Sequence, residues 1–420
     1  MNTGLKPCRE NQALKHNSMK QLSIKVLGLA LVALLFQTAC KKDPIEESTG
    51  QAITIENKTY SKATETWSNH NKSGVDYIIK SQVMFQTNSK LTIEPGTEIV
   101  FENGGSLVLN KSTLTAIGSA SAHIVFRGQN DTPGFWKSIK FYGNTDNAMA
   151  FCDVLNAGAY TSGEFAIYGG GSVIVGNGLG DAALSLENCK IGTSSSYGIF
   201  LHDESKLNAF SGNSITNCNY VAYCDANALG QFNGAGNQVP DNVHNQIVCR
   251  GGEIHDKALW PALTASILFE DDTFIYNEVS IEPGAVLLFE SNQAIVLKKG
   301  ANSNTKLFAE GTPAKPIVFR GAVTQKGYWL GMLIESGVTR MSYCNLSDAG
   351  QLVGSNVPYN TPSGSIWIWN EFDGVTVSIQ HCQITNGWSN GITIRQNTAS
   401  SVTLSDNFFS GNTEADVRYW

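Results

Sequence analysis

Three short stretches of the chain combine residue types that could do chemistry. Glu270-Asp271-Asp272 places three carboxylates in a row, the ligand type calcium prefers, although adjacent residues on a strand or turn cannot all face one ion. His202-Asp203-Glu204, and the group Arg250, Glu253, His255 and Asp256, set bases beside acids, the combination proton transfer requires. Each of these clusters also suits a solvated surface, and no catalytic residue is assigned from them. The remaining candidate is aromatic. In Ile366-Trp367-Ile368-Trp369, strand alternation sends both isoleucines to one side and both tryptophans to the other, about 7 Å apart along the strand. With the isoleucines in a core, Trp367 and Trp369 form an exposed platform able to stack on sugar rings, with Trp388 in the following coil as a third member. The opposing reading buries the indoles or covers them with the loop holding Tyr359 and Pro362. No CxxC pair or histidine at ligand spacing marks a metal site, and no cofactor is expected.

The elements that would position these residues follow from an internal duplication. Ile93-Glu94-Pro95-Gly96 recurs as Ile281-Glu282-Pro283-Gly284, and Val125-Phe126-Arg127-Gly128 as Val318-Phe319-Arg320-Gly321. Gly134-Phe135-Trp136 recurs as Gly327-Tyr328-Trp329, Cys152 as Cys344, Cys189 as Cys382, and Trp67 as Trp260. Matched landmarks in one order divide the chain into two related modules, 51–240 and 241–420. Within each, short apolar runs such as Glu98 to Phe101 and Ile124 to Phe126 are punctuated by Gly, Asn, Pro and Asp, and nothing after residue 50 has a helical period. The fold class is therefore all-β. A strand, a bend and another short strand recurring every 20 to 30 residues indicates a solenoid rather than a sandwich.

Five cysteines, Cys152, Cys189, Cys218, Cys344 and Cys382, sit at equivalent strand ends and read as small interior residues stacked along the coil axis. Seven cysteines in the two modules, an odd number, argue against a complete disulfide framework; a Cys218 to Cys224 bond stays open. Asn188, Asn213, Asn217 and Asn407 fall at turns, where their amides can bond backbone groups. Trp136 and Trp329, duplicated at matched positions, read as structural. Arg127 and Arg320 alternate against Phe126 and Phe319 and so face solvent.

The run from Leu91 to Thr97, with Leu114-Thr115-Ala116-Ile117-Gly118, Ile124-Val125-Phe126 and Gly134-Phe135-Trp136, resembles the right-handed parallel β-helix repeats of pectin-lyase-like bacterial surface proteins. The resemblance covers nearly everything from Gln51 to Trp420. It implies three parallel sheets wound into a prism, some 14 coils long. It also implies that an enzyme on this fold is a polysaccharide lyase or a glycoside hydrolase. Asn144-Thr145-Asp146 matches one short element of the polygalacturonase-like hydrolases, but the double-Asp, Gly-His-Gly and Arg-x-Lys companions of that element are missing.

At the amino terminus, Lys20 and Lys25 precede an apolar run from Val26 to Phe36, too short for a membrane span and right for a signal peptide. Gln37-Thr38-Ala39-Cys40 then resembles a bacterial lipobox. The expected layout is a signal peptide over 1–39, a lipidated Cys40 with a polar tether over 40–50, and the two modules. Lys41 after the cysteine fits outer-membrane sorting, with a surface-exposed or periplasmic orientation left open. Five of the 29 basic residues and one of the 36 acidic residues lie in 1–39, so the remainder carries a net charge of −11. That charge disfavours nucleic acid as a partner. The expected partners are the lipid membrane, through Cys40, and a polysaccharide. The expected function is a noncatalytic, outer-membrane-anchored β-helix that binds glycan or another extracellular ligand; a polysaccharide lyase or hydrolase and an adhesive stalk are the alternatives.

Overall fold

The computed structural model describes residues 50–72, 74–144, 146–159, 170–177, 182–299, 305–350, 363–369 and 374–420. The signal segment, Cys40 and the tether up to residue 49 lie outside the described residues. From Thr49 onward the chain is one compact unit. Among the described residues it contains 40 strands and no helix beyond two 3-10 turns, Leu229–Phe232 and Gln396–Ser401.

Every strand pair is parallel, and each strand bonds to the strand three places on in the chain, apart from the single step at the junction between modules. This is a three-sided parallel β-helix. A 14-stranded sheet runs its whole length; a seven-stranded and a six-stranded sheet complete the prism in the first half, and another such pair does so in the second. Side chains alternate between the prism interior and the outer face, as Ile124–Gly128 illustrates with Ile124 and Phe126 buried and Val125 and Arg127 partly exposed. Arg127 lies on the outer face as expected, where it binds the Glu98 carboxylate at 2.7 Å.

The two copies are not related by a simple shift along the axis. The 40 strands divide into 20 before residue 225 and 20 after residue 243, and each strand of the second set matches one of the first. The linking coil passes two sheet positions without a strand before His244–Cys249 joins the long sheet beside Tyr220–Cys224, so equivalent strands are displaced by seven coils and one strand, and the second copy begins one-third of a coil out of phase. Glu98–Phe101 lies in the first seven-stranded sheet, but its counterpart Val286–Phe289 lies in the long sheet. Ser106–Asn110 lies in the long sheet, and its counterpart Ala294–Leu297 lies in the second seven-stranded sheet. The long sheet is thus a fusion of two different faces of the repeat. The changeover falls where Tyr220–Cys224 pairs with His244–Cys249, after a linking coil that carries the turn Leu229–Phe232.

Duplicated residues do duplicated jobs in the core. Trp136 stacks on Phe101 at 3.9 Å and donates its indole N–H to Leu155 O at 2.7 Å. Trp329 stacks on Phe289 at 4.1 Å and donates to Ser347 O at 2.8 Å. All four rings are buried, each adding apolar area on the order of 150–250 Å² to the core while the indole nitrogen is satisfied.

The five corner cysteines behave alike. Each follows a residue in the left-handed region, Phe151 (φ 49°), Asn188 (φ 52°), Asn217 (φ 55°), Tyr343 (φ 48°) or His381 (φ 53°), which lets the chain turn from one sheet to the next in one or two residues. Each thiol then points inward and donates to the carbonyl two residues earlier. The stacked interior reading is correct, and Cys218 and Cys224 are separate free thiols. Asn213 and Asn407 bridge coils: Asn213 accepts the Cys189 N–H at 3.0 Å and donates to Leu186 O at 2.8 Å, and Asn407 does the same for Cys382 and Ile379.

Candidate functional site

The tryptophan platform does not form as expected. Ile366 and Ile368 are in the core and the tryptophans are on the outer face, but Trp367 is only 1 % exposed. Its neighbours up the ladder, Val296 and Leu333, are apolar, so it packs into an outer cluster with them and Ala294 instead of standing clear. Trp369 is partly covered too: the Arg395 guanidinium lies 4.3 Å from its ring, and Trp420 stacks on it at 5.5 Å. Trp388 is 55 % exposed.

The other sequence candidates divide. Asn144 and Asp146 form a turn, in which Asn144 Nδ2 donates to Thr113 Oγ1 at 2.8 Å; Thr145 lies outside the described residues. Glu270, Asp271 and Asp272 point to different tasks. The Asp272 carboxylate accepts the Ala294 N–H at 2.8 Å, while Glu270 stands on the outer face. Among the described residues no group of three or more His, Cys, Asp and Glu is placed to hold a metal.

The two mixed acid and base clusters, in contrast, come together. His202-Asp203-Glu204 and the Arg250 group are more than 40 residues apart, yet Arg250 Nη2 binds Asp203 Oδ2 at 2.5 Å. Around that pair Asp203, Glu204, Asp225, Asn227, Glu253 and His255 line a surface hollow of ≈ 350 Å³. It lies at the edge of the long sheet, where the first module hands over to the second.

Beside this hollow, the outer face of the long sheet carries two columns. One is aromatic and aliphatic: Phe200, Tyr223, Val248, Leu268 and Leu288 sit on successive strands in register. Phe200 and Tyr223 stack at 4.5 Å, and Tyr197, Tyr220 and His244 extend the strip sideways, Tyr220 stacking on His244 at 4.6 Å. The second column follows the strand ends and holds Arg250, Glu270 and Glu290. Glu270 N–H donates to Cys249 O, and Glu290 N–H donates to Phe269 O, both at 2.9 Å, which stacks the residues one above the next. Strand spacing puts the two glutamates about 4.8 Å apart at the backbone.

This arrangement leaves marks on the ionisable groups. Partial desolvation, then Glu290 and Asp271, raise the Glu270 carboxyl above the ordinary range. Burial and then Glu270 raise the Tyr223 phenol, and burial, Glu270 and Glu290 raise Tyr220. Tyr328 donates its hydroxyl to Glu290 Oε2 at 2.9 Å, and its own pKa is raised by burial and by that carboxylate. Sequence reasoning missed Tyr220, Tyr223, Glu290 and Tyr328. One signal was available: aligning the duplicated landmarks sets Lys80 against Glu270, Glu102 against Glu290 and Phe135 against Tyr328. No protein-family model matches the chain, and no curated protein is significantly similar to it.

Proposed function

We propose that the protein is a lipid-anchored β-helix of the outer membrane, held through an acylated Cys40 after removal of residues 1–39, that binds polysaccharide on the outer face of its long sheet. The observation that carries the binding reading is the strip in which the half-buried Tyr220 and Tyr223 and the exposed His244 pack over the buried Tyr197 and Phe200, beside a charged column and a polar hollow. Aromatic faces stack on sugar rings, and flanking carboxylates and guanidinium accept or donate hydrogen bonds to hydroxyls; the long flat sheet suits an extended polymer rather than a small molecule. Resemblance to pectin-lyase-like surface proteins and the lipobox-like Gln37-Thr38-Ala39-Cys40 support the class and the location.

Native electrophoresis of the detergent-solubilised protein through gels containing single polysaccharides tests the reading. Retardation by at least one polymer, abolished in Tyr220→Ala with Tyr223→Ala, is the expected result; unretarded migration in every gel would overturn it. Fatty-acid labelling lost in Cys40→Ala tests the anchor. Glycoside hydrolysis is a second reading, favoured by one feature: Glu270 and Glu290 follow adjacent strands on one face, as the two carboxylates of a retaining pair, ~5–5.5 Å apart, would require. Clearing of polymer around the band would decide for it.

A further inference from the structure

The duplication supplies an internal control for the carboxylate column. In the first copy the equivalent positions are Lys80 and Glu102: Lys80 N–H donates to Ile55 O at 3.0 Å, and Glu102 N–H to Ile79 O at 2.9 Å, the same bonding that places Glu270 and Glu290. The first copy therefore sets a lysine and a glutamate at adjacent strand ends, opposite charges on neighbouring positions. The second copy stacks carboxylate on carboxylate, an arrangement that costs stability on neighbouring strands. Arg250, one strand below, does not relieve it, because its guanidinium is turned to Asp203. Among the described residues no Lys or Arg ion pair reaches Glu270 or Glu290. A second departure goes with the first: Phe135 of the first copy is replaced by Tyr328, whose hydroxyl is aimed at Glu290.

We propose that Glu270 and Glu290, walled by Tyr220, Tyr223 and Tyr328, bind the protonated amino groups of an amine-bearing glycan; the inference rests on the polysaccharide-binding reading above. The ligand's ammonium takes the place that Lys80 fills in the first copy. An organic cation fits better than a metal ion. Calcium requires six to eight oxygen ligands, whereas two glutamates and a phenol offer fewer, and tyrosine faces attract an ammonium and the sugar ring that carries it. The same carboxylates repel polyuronates, so the acidic polymers that the fold resemblance would suggest are excluded from this face.

The test is binding of the full chain to chitosan oligosaccharides and to their N-acetylated counterparts, followed by calorimetry at a pH where the free amine is protonated. At least tenfold tighter binding of the amine form is expected, one charge-assisted contact being worth roughly that factor. Glu270→Lys installs the first copy's own residue, so the fold tolerates it; it should erase the preference with an unchanged circular dichroism spectrum, and Glu270→Gln should reduce it. Equal affinity for the two forms would overturn the proposal and leave polysaccharide binding standing. A preference surviving in Glu270→Lys would also overturn it. Failure of both oligosaccharides and of every other polymer would overturn both readings.

Discussion

Exchanging the charges of the two columns tests whether the copies are physically equivalent at these positions. Lys80→Glu places two carboxylates next to each other in the first copy, and Glu270→Lys removes that arrangement from the second. At about 5 Å and near-bulk dielectric, one pair of unit charges is worth about 0.8 kcal/mol, so turning attraction into repulsion costs about 1.6 kcal/mol in pure water. A Debye length of about 8 Å at 0.15 M salt roughly halves this, and side-chain freedom at the exposed Lys80 and Glu270 trims it further. The expectation is a loss of about 0.5–1 kcal/mol for Lys80→Glu and a gain of similar size for Glu270→Lys. Urea is the denaturant to use, because guanidinium would screen the effect; the unfolding midpoints should move in opposite directions at 20 mM salt and converge on wild type at 1 M. Shifts of the same sign, or shifts indifferent to salt, would refute the stacking of these side chains.

The same physics governs other positions. Cys344→Ala should destabilise by about 1 kcal/mol in urea unfolding, because it removes the buried thiol and the second hydrogen bond it adds to Ala309 O at 3.1 Å, whereas Cys344→Ser should keep most of the stability. Asn213→Ala should cost more, about 2 kcal/mol by the same assay, since it strands the buried Cys189 N–H and removes the amide that also bonds Leu186 O. Glu278 and Glu270 should respond to pH with opposite signs. Lys306 and Lys257 lower the Glu278 pKa in the fold, so its contribution is present above the ordinary carboxylate pKa and is lost as pH falls through the folded value. The Glu270 pKa is raised, so its contribution is complete below the ordinary carboxylate pKa and is lost as pH rises. Glu278→Gln should therefore be less stable than wild type at pH 7 and equal to it in acid, and Glu270→Gln more stable at pH 7 and equal in acid; urea midpoints between pH 3 and 7 check both.

The architecture was legible because its determinants are local. The runs at Glu98 to Phe101 and Ile124 to Phe126 fix a strand and its inward face within five residues, and a corner needs only a left-handed residue before an inward cysteine. What stayed hidden depends on register between coils. Nothing near Trp367 reveals that Leu333 and Val296 lie beneath it, so an alternation that was read correctly led to an exposed platform that packing had closed. The carboxylate pair was hidden for the same reason. Glu270 and Glu290 are 20 residues apart, and only the pairing of Ser266–Phe269 with Val286–Phe289 makes them neighbours.

The phase of the duplication explains why the candidate site lies where it does. Had the copies been related by a whole number of coils, each outer face would repeat the same ladder twice, and the face carrying Phe200 and Tyr223 would continue into its own second copy. Displacement by seven coils and one strand instead joins the aromatic end of one repeat face to the charged beginning of a different one, at Tyr220–Cys224 and His244–Cys249. Along that seam the tyrosines come from the late strands of the first copy, and Arg250, Glu270 and Glu290 come from the early strands of the second. Neither copy holds both sets on one face. A site that combines stacking surface with paired carboxylates therefore arises from the junction itself, and removing one strand's worth of linking coil between Asp225 and Val243 would separate the two sets onto different sides of the prism while leaving both modules their own cores.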